Sequence, residues 1–283
     1  MPTFFMILAS LFWGASFLIV KLALQDIHVT AFLFLRFLVA SISMLPGLVF
    51  YQVPFKRTEI LQGLKLGLLQ IGLMFLQTLG LKTISASLSG FLTGFSIVFV
   101  LAIRFMILKK KPSSLDIMAS VGCLGGLALL THSFRLGSEP GVFYSLGSAF
   151  FIALHTYGLD KYAQKSNTTI LTFMQMISLA TFSCFLFLLP GNSFQLPSQP
   201  VTWLYILFCG ILCSSVAFWL QARAQQTLSA FEVSMILILE PVFATIFGCL
   251  ILGEQLYMES YIGAAMILGS IWAINLRLKQ MDA

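Results

Sequence analysis

The stretch AFEVSMILILEPVFATIFGCLIL, residues 230–252, decides how the rest of the chain is read. Wound as an α-helix, these 23 residues would be about 34 Å long, enough to cross a hydrocarbon core of about 30 Å. Lipid leaves only helices or closed strand barrels as spanning structures, because every backbone N–H and C=O must find a partner inside the protein. Barrel strands would alternate apolar and polar residues over about ten positions. The run does not alternate, and Ser229-Ala230-Phe231-Glu232 at its start fits the capping box that satisfies the first free N–H groups of a helix. It therefore reads as a membrane-spanning helix, with Glu240-Pro241 near its middle.

Nine further blocks read the same way. Breaks at charged, Pro, Gly and Ser clusters predict spans over 3–20, 29–50, 60–80, 86–108, 115–132, 141–161, 169–190, 201–222, 230–252 and 258–276, with no connection longer than ten residues. Of the 283 residues, 59% are apolar and 9% are charged, where a soluble domain carries about a quarter charged residues. An ordinary water-soluble globule is excluded, and no loop can hold a soluble catalytic domain. The expected fold is an all-α integral membrane protein of ten transmembrane helices. Ser113-Ser114-Leu115-Asp116 forms a second capping box, and Pro140 and Pro200 fall where a first-turn proline costs nothing. The first segment is expected to be a span and not a cleaved leader, since it lacks a basic start and a small-residue cleavage site. Cys123, Cys184, Cys209, Cys213 and Cys249 all lie inside spans without a CxxC pair and read as packing residues.

Lys and Arg accumulate on the cytoplasmic side of membrane proteins. With the N-terminus inside, Lys56, Arg57, Lys65, Arg104, Lys109, Lys110, Lys111, Lys161, Lys165, Arg223, Arg277 and Lys279 fall inside, and only Lys21, Lys82 and Arg135 outside. Ten spans then place both termini in the cytoplasm. The net charge of +6 is a topology signal, and nucleic acid is not needed as a partner to explain it.

Sliding the chain by 144 residues aligns Thr83-Ile84-Ser85-Ala86 with Thr227-Leu228-Ser229-Ala230, Gln77 with Gln221, Phe99 with Phe243, and Trp13-Gly14 with Tyr157-Gly158. Each half, 1–137 and 138–283, then holds five spans. An odd number makes the second copy enter the membrane from the opposite side, which is an inverted repeat, the plan of carriers that rock two halves about a central site.

The residues Leu11-Phe-Trp-Gly-Ala-Ser-Phe17 with Lys21, Leu35-Arg36-Phe37, Ser85-Ala86-Ser87, Ala217 to Leu220, and Leu239-Glu240-Pro241-Val242-Phe243-Ala244 ending in Leu252-Gly253-Glu254 resemble, in the same order, EamA-type carriers of the drug/metabolite transporter superfamily. The resemblance implies two inverted five-helix repeats, cytoplasmic termini, alternating-access movement of small metabolites and, by analogy with many relatives, export. One departure from the pattern concerns Ile97, which stands where the first repeat of the family often has the counterpart of Pro241, and Lys109-Lys110 replaces the Gly-Glu ending. The two fourth-position helices are therefore expected to differ.

Chemistry must come from polar groups at depth. Most charges inside spans lie near an end, where they snorkel or cap. Two are deep: Arg36, the eighth of 22 residues in its span, and Glu240, the eleventh of 23. An ionisable group at mid-membrane costs on the order of 3 kcal/mol, so it should be protonated, paired or facing water. Both are candidate coupling residues. Arg36 is expected to pair with Glu240 or to bond backbone carbonyls at a helix end. Pro241 removes the N–H that the Leu237 carbonyl would use, which bends a helix. Trp13, Gln77, His155, Tyr157, Trp219 and Gln221 are the candidate substrate-binding residues, and Gln175 adds a further polar group. Helix packing explains any one of them, and together they suit a cavity for a neutral, zwitterionic or partly apolar solute.

Phosphate carriers need a deep Lys or Arg cluster, which is missing here. No Walker loop, HExxH, GxSxG or metal-spaced His/Cys group occurs, so no enzyme activity and no cofactor is expected. The sequence thus points to a secondary transporter of a small metabolite such as an amino acid or related amphiphile, in the bacterial inner membrane, as a monomer or homodimer. Its partners are the small-molecule solute and the lipid bilayer. A channel or a non-transporting scaffold is the alternative. Gly63 with Gly67, Gly90 with Gly94, and Gly122 with Gly126 permit close helix approach, expected inside the bundle more than at a dimer face.

Overall fold

Helices start where the sequence supplies their caps. Ser113 and Asp116 exchange hydrogen bonds, from Ser113 N–H to Asp116 Oδ2 at 3.0 Å and from Asp116 N–H to Ser113 Oγ at 3.1 Å. Ser229 and Glu232 do the same at 2.8 and 3.4 Å. Pro140 and Pro200 each open a helix. The computed structural model describes residues 1–50, 52–109, 111–131, 139–188, 196–252 and 257–281. Gly253-Glu254, Lys110 and Arg135 lie outside the described residues.

From these starts run α1 (Pro2–Ala23), α2 (Val29–Phe50), α3 (Arg57–Thr83), α4 (Ala86–Gly94), α5 (Ser96–Leu108), α6 (Ser114–Thr131), α7 (Pro140–Ala163), α8 (Thr168–Leu188) and α9 (Pro200–Gly210). A π-helical turn, Ile211–Val216, leads into α10 (Ala217–Ala224), followed by α11 (Ala230–Leu237), α12 (Leu239–Leu252) and α13 (Met258–Met281). Among the described residues, nine segments are long and apolar enough to cross a membrane, with α4–α5, α9–α10 and α11–α12 each forming one span. The tenth is α13, apolar over Met258–Ile274.

Packing follows the internal repeat. The first span, α1, lies on the eighth and ninth spans, whereas its counterpart α7, the sixth, lies on the third and fourth. Each half thus lends its first helix to the other. The second and seventh spans, α2 and α8, pack on each other, and so do the fifth and tenth, α6 and α13. The last pair meets backbone to backbone, since a Cβ on Gly126 would sit 2.6 Å from the Gly263 carbonyl oxygen. Gly126 therefore serves contact within the bundle.

Two elements depart from the sequence reading. The fourth-position spans were expected to differ, yet both are interrupted at matching depth, at Phe95 between α4 and α5 and at Ile238 between α11 and α12. In the fourth span, which lacks the proline, Thr93 Oγ1 bonds the Gly90 carbonyl at 3.0 Å and the Phe95 N–H reaches Leu92 O at 3.2 Å. These bonds tighten the last turn of α4. Pro241 falls in the first turn of α12, where its missing N–H leaves no bond broken inside the new helix. The eighth span, read as one α-helix, carries the π-turn. There Ser214 and Ser215 hydroxyls bond carbonyls five residues back, Cys209 O at 2.8 Å and Gly210 O at 3.1 Å.

The two ends of the bundle are tied by polar contacts. At one end Asp26, in the loop between α1 and α2, accepts hydrogen bonds from the Ser198 hydroxyl and from the N–H groups of Ser198 (3.3 Å) and Gln199 (3.1 Å). At the other, Glu59 Oε1 accepts from Asn167 N–H at 2.9 Å and the Ser166 hydroxyl donates to Gln62 Oε1 at 2.6 Å.

Candidate functional site: a cavity between the halves

The π-turn organises the first wall of the site. Within it the Cys213 carbonyl accepts the Trp13 indole N–H at 2.8 Å, and Ser214 Oγ accepts from Arg36 Nε at 2.9 Å. The Trp13 ring lies against Phe218, centroids 4.9 Å apart. Gly14, the next residue, lets α1 seat directly on α12, because a Cβ there would come within 2.6 Å of Glu240 O and of Phe243 Cβ. Trp13, Arg36 and Glu240 are thereby drawn to one depth from three different spans.

Gln77 from α3, His155 and Thr156 from α7, and Gln221 from α10 complete the polar lining of a cavity between the halves. Phe17, Leu73, Met74, Ile152, Phe218 and Leu237 supply its apolar walls. Both halves contribute. His155 is held from behind, its Nε2 2.6 Å from Gln175 Oε1, while the Gln175 amide donates to Leu171 O at 3.0 Å.

Charge is distributed unusually inside this space. Arg36 is 2% exposed, and its Nη2 has no hydrogen-bond partner. Glu240 lines the same cavity, but among the described residues it makes no ion pair with Arg36 and no side-chain hydrogen bond. The expected Arg36–Glu240 pair is therefore not formed, and Arg36 bonds a hydroxyl and not a helix-end carbonyl. Gln221 Oε1 and Thr156 Oγ1 are likewise buried without partners.

Six of the eight sequence candidates, Trp13, Arg36, Gln77, His155, Gln221 and Glu240, meet at this cavity. Tyr157 and Trp219 do not. With about 100° between successive helix residues, Tyr157 turns away from the face of His155 and Thr156, and it lines a separate recess with Arg104, Asp160 and Ser229. Trp219, between Phe218 and Gln221, faces a second groove, donates to Thr169 Oγ1 at 3.2 Å and carries Arg223 over its ring at 5.9 Å. Sequence reasoning missed Ser16, Thr156 and Ser214. The run Cys213-Ser214-Ser215 in mid-span was the available signal for the last. Among the described residues no group of three His, Cys, Asp or Glu is placed to hold a metal ion.

The model of the EamA-like transporter family matches residues 1–132 and again 139–276. The chain belongs to the EamA-like transporter family. An uncharacterized transporter of Archaeoglobus fulgidus is 28% identical over 272 residues, covering 96% of this chain and 84% of that protein. The uncharacterized transporter YcxC of Bacillus subtilis is 25% identical, covering 97% and 92%. A crystal structure 14% identical in sequence superposes with a TM-score of 0.81 over 100% of this chain and 99% of the other, a likeness of fold. The EamA-like chain is thus a multi-pass membrane transporter built from two inverted five-helix repeats.

Proposed function

We propose that this EamA-like transporter is a secondary carrier that moves a small amphiphilic metabolite of the amino-acid type by alternating access. In this reading the two repeats, divided near residue 138, rock about the central cavity. Both termini lie on the cytoplasmic side of the bacterial inner membrane, and the solute leaves the cell. The convergence of Trp13, Arg36, Gln77, His155, Gln221 and Glu240 from six spans on one cavity between the halves carries the reading. A carrier needs a site that both halves build, so that rocking exposes it to either side. The walls suit a solute with an apolar part, and the ties at the two ends suit gates that part in turn. The basic residues on one side support the orientation, and resemblance to exporters supports the direction.

Counterflow in proteoliposomes tests it. Preloaded unlabelled amino acids are expected to accelerate entry of the labelled form with saturating kinetics. Flux that does not saturate would mean a channel, and no flux with any solute tried would mean a scaffold.

A further inference from the structure

We propose that the second groove, which Trp219 faces, is a binding site for an anionic phospholipid, with an acyl chain between α2 and α10 and the phosphodiester among basic residues at the groove's mouth.

The groove exists because two spans that touch at depth part toward one end. A Cβ on Gly210 would stand 2.8 Å from the Arg36 carbonyl oxygen and 2.7 Å from Val39 Cγ1, so α2 and the eighth span are in close contact there. About a turn further along α2, the Ser43 and Ser215 hydroxyls lie 2.6 Å apart. A turn later again, at Gly47, an added Cβ would find nothing within 4 Å. Pro46 precedes it inside α2, and a proline within a helix removes an N–H and bends the chain. The start of α8 supplies the third wall through Asn167 and Thr169.

The polar groups of the floor satisfy one another, Ser43 with Ser215 and the Trp219 indole N–H with Thr169 Oγ1. What they leave is an apolar channel along Met44, Val53, Val216 and the Trp219 ring. From Ser43 to the end of α2 at Phe50 the helix rises about 10 Å, and the hydrocarbon of one leaflet is about 15 Å deep. An acyl chain is what the surroundings supply at that depth.

Charge at the mouth selects the headgroup. Each wall runs on to an exposed basic residue: Lys56 beyond Val53, Lys165 before Asn167, and Arg223 beyond Trp219, with its guanidinium 5.9 Å from the Trp219 ring centroid. Glu59, at the same end, is buried outside the groove lining and accepts the Asn167 N–H. Basic pockets between spans suit anionic headgroups, and an interfacial Trp with its apolar body and polar edge suits the boundary between chain and headgroup. Ser215 and Val216 belong to the π-turn that also holds Trp13 and Arg36, so a chain in the groove bears on the same turn as the central site.

Photolabelling of the purified full-length protein in detergent tests this, using phosphatidylglycerol with a diazirine in one acyl chain, followed by peptide mapping. Label is expected on residues 44–47 and 216–219, and unlabelled phosphatidylglycerol is expected to suppress it at a concentration about tenfold or more below that needed with phosphatidylcholine. Label spread evenly over exposed apolar residues elsewhere, such as Leu250 and Trp272, or suppressed equally by both lipids, would overturn the proposal. So would full suppression by glycerol phosphate, which carries the charge without a chain. Arg223→Gln is expected to weaken phosphatidylglycerol about fivefold. Gly47→Leu, which fills the groove without touching a charge, should remove the label from 216–219, whereas Lys82→Gln, in a separate recess at the opposite end, should change neither. A pattern unchanged by both groove substitutions would also overturn it. Mapping on the wild-type protein needs no variant, so misfolding of a substitution leaves the proposal exposed to refutation.

Discussion

At Gly14 a single hydrogen atom sets the distance between α1 and the interrupted ninth span. Gly14→Ala would put a methyl 2.6 Å from the Glu240 carbonyl oxygen and from Phe243 Cβ, and overpacking of this kind costs about 1–3 kcal/mol. The expected result is a lower thermal midpoint in detergent together with impaired exchange. Gly47→Ala is the control, since nothing lies within 4 Å of the added carbon; equal behaviour of the two variants would remove the close seat as a determinant. Asp26 gives a residue-level pH dependence. The Ser198 hydroxyl first, then Thr202 and the Gln199 N–H, bring its pKa from 3.8 down to about 2. A depressed folded-state value means that the carboxylate contributes stability above the unfolded pKa and loses it as pH falls toward about 2. Melting curves are therefore expected to favour wild type over Asp26→Asn at pH 7, with the gap closing as the pH is taken from 5 down to 3. A gap that stays constant with pH would mean that the carboxylate charge is not what ties this loop to α9.

The interruption of the ninth span is an element-level property, and its counterpart in the fourth span forms without a proline. The fourth span is interrupted at the same depth without a proline, and Pro241 sits inside the first turn of α12, where its ring is tolerated. Pro241→Ala is accordingly expected to change stability by no more than about 1 kcal/mol and to leave exchange close to wild type. Loss of exchange in a folded variant would restore the proline as the source of the bend. The π-turn makes the opposite case. Its geometry depends on groups far away in sequence: Trp13 takes the Cys213 carbonyl, and Arg36 takes the Ser214 hydroxyl. Ser214→Ala would strip a buried guanidinium of the one side-chain partner it has among the described residues, and destabilisation of about 1–3 kcal/mol, read as a lower thermal midpoint, is expected. Helix existence and caps were legible along the chain because they follow from local runs and local bonds. The π-turn was not, because its stabilising partners come from α1 and α2.

For the whole molecule, the repeat could be read from a few aligned residues such as Gln77 with Gln221, and the deep pair Arg36 and Glu240 stood out because other charges sat at helix ends. Which faces point inward could not be read, so Tyr157 and Trp219 were grouped with neighbours whose side chains turn elsewhere. The symmetry of the packing also has a mechanical consequence. If the halves rock as proposed, the crossed packing of α1 on the second half and of α7 on the first suits opening at one end while the other stays closed. The ties are placed accordingly, Asp26 to Ser198 and Gln199 at one end, and Glu59 and Gln62 to Asn167 and Ser166 at the other. If each is a gate, fixing either should stop exchange. Gln62→Cys with Ser166→Cys, joined by a short thiol-reactive linker with a reducible spacer, is expected to abolish counterflow, and reduction to restore it. Asp26→Cys with Ser198→Cys should behave alike at the opposite end. Each single-cysteine variant, treated the same way, should keep exchanging, which separates the tie from the chemistry of the reagent. Undiminished exchange in protein cross-linked at both ends would mean that solute crosses without either end opening, and alternating access would have to be given up.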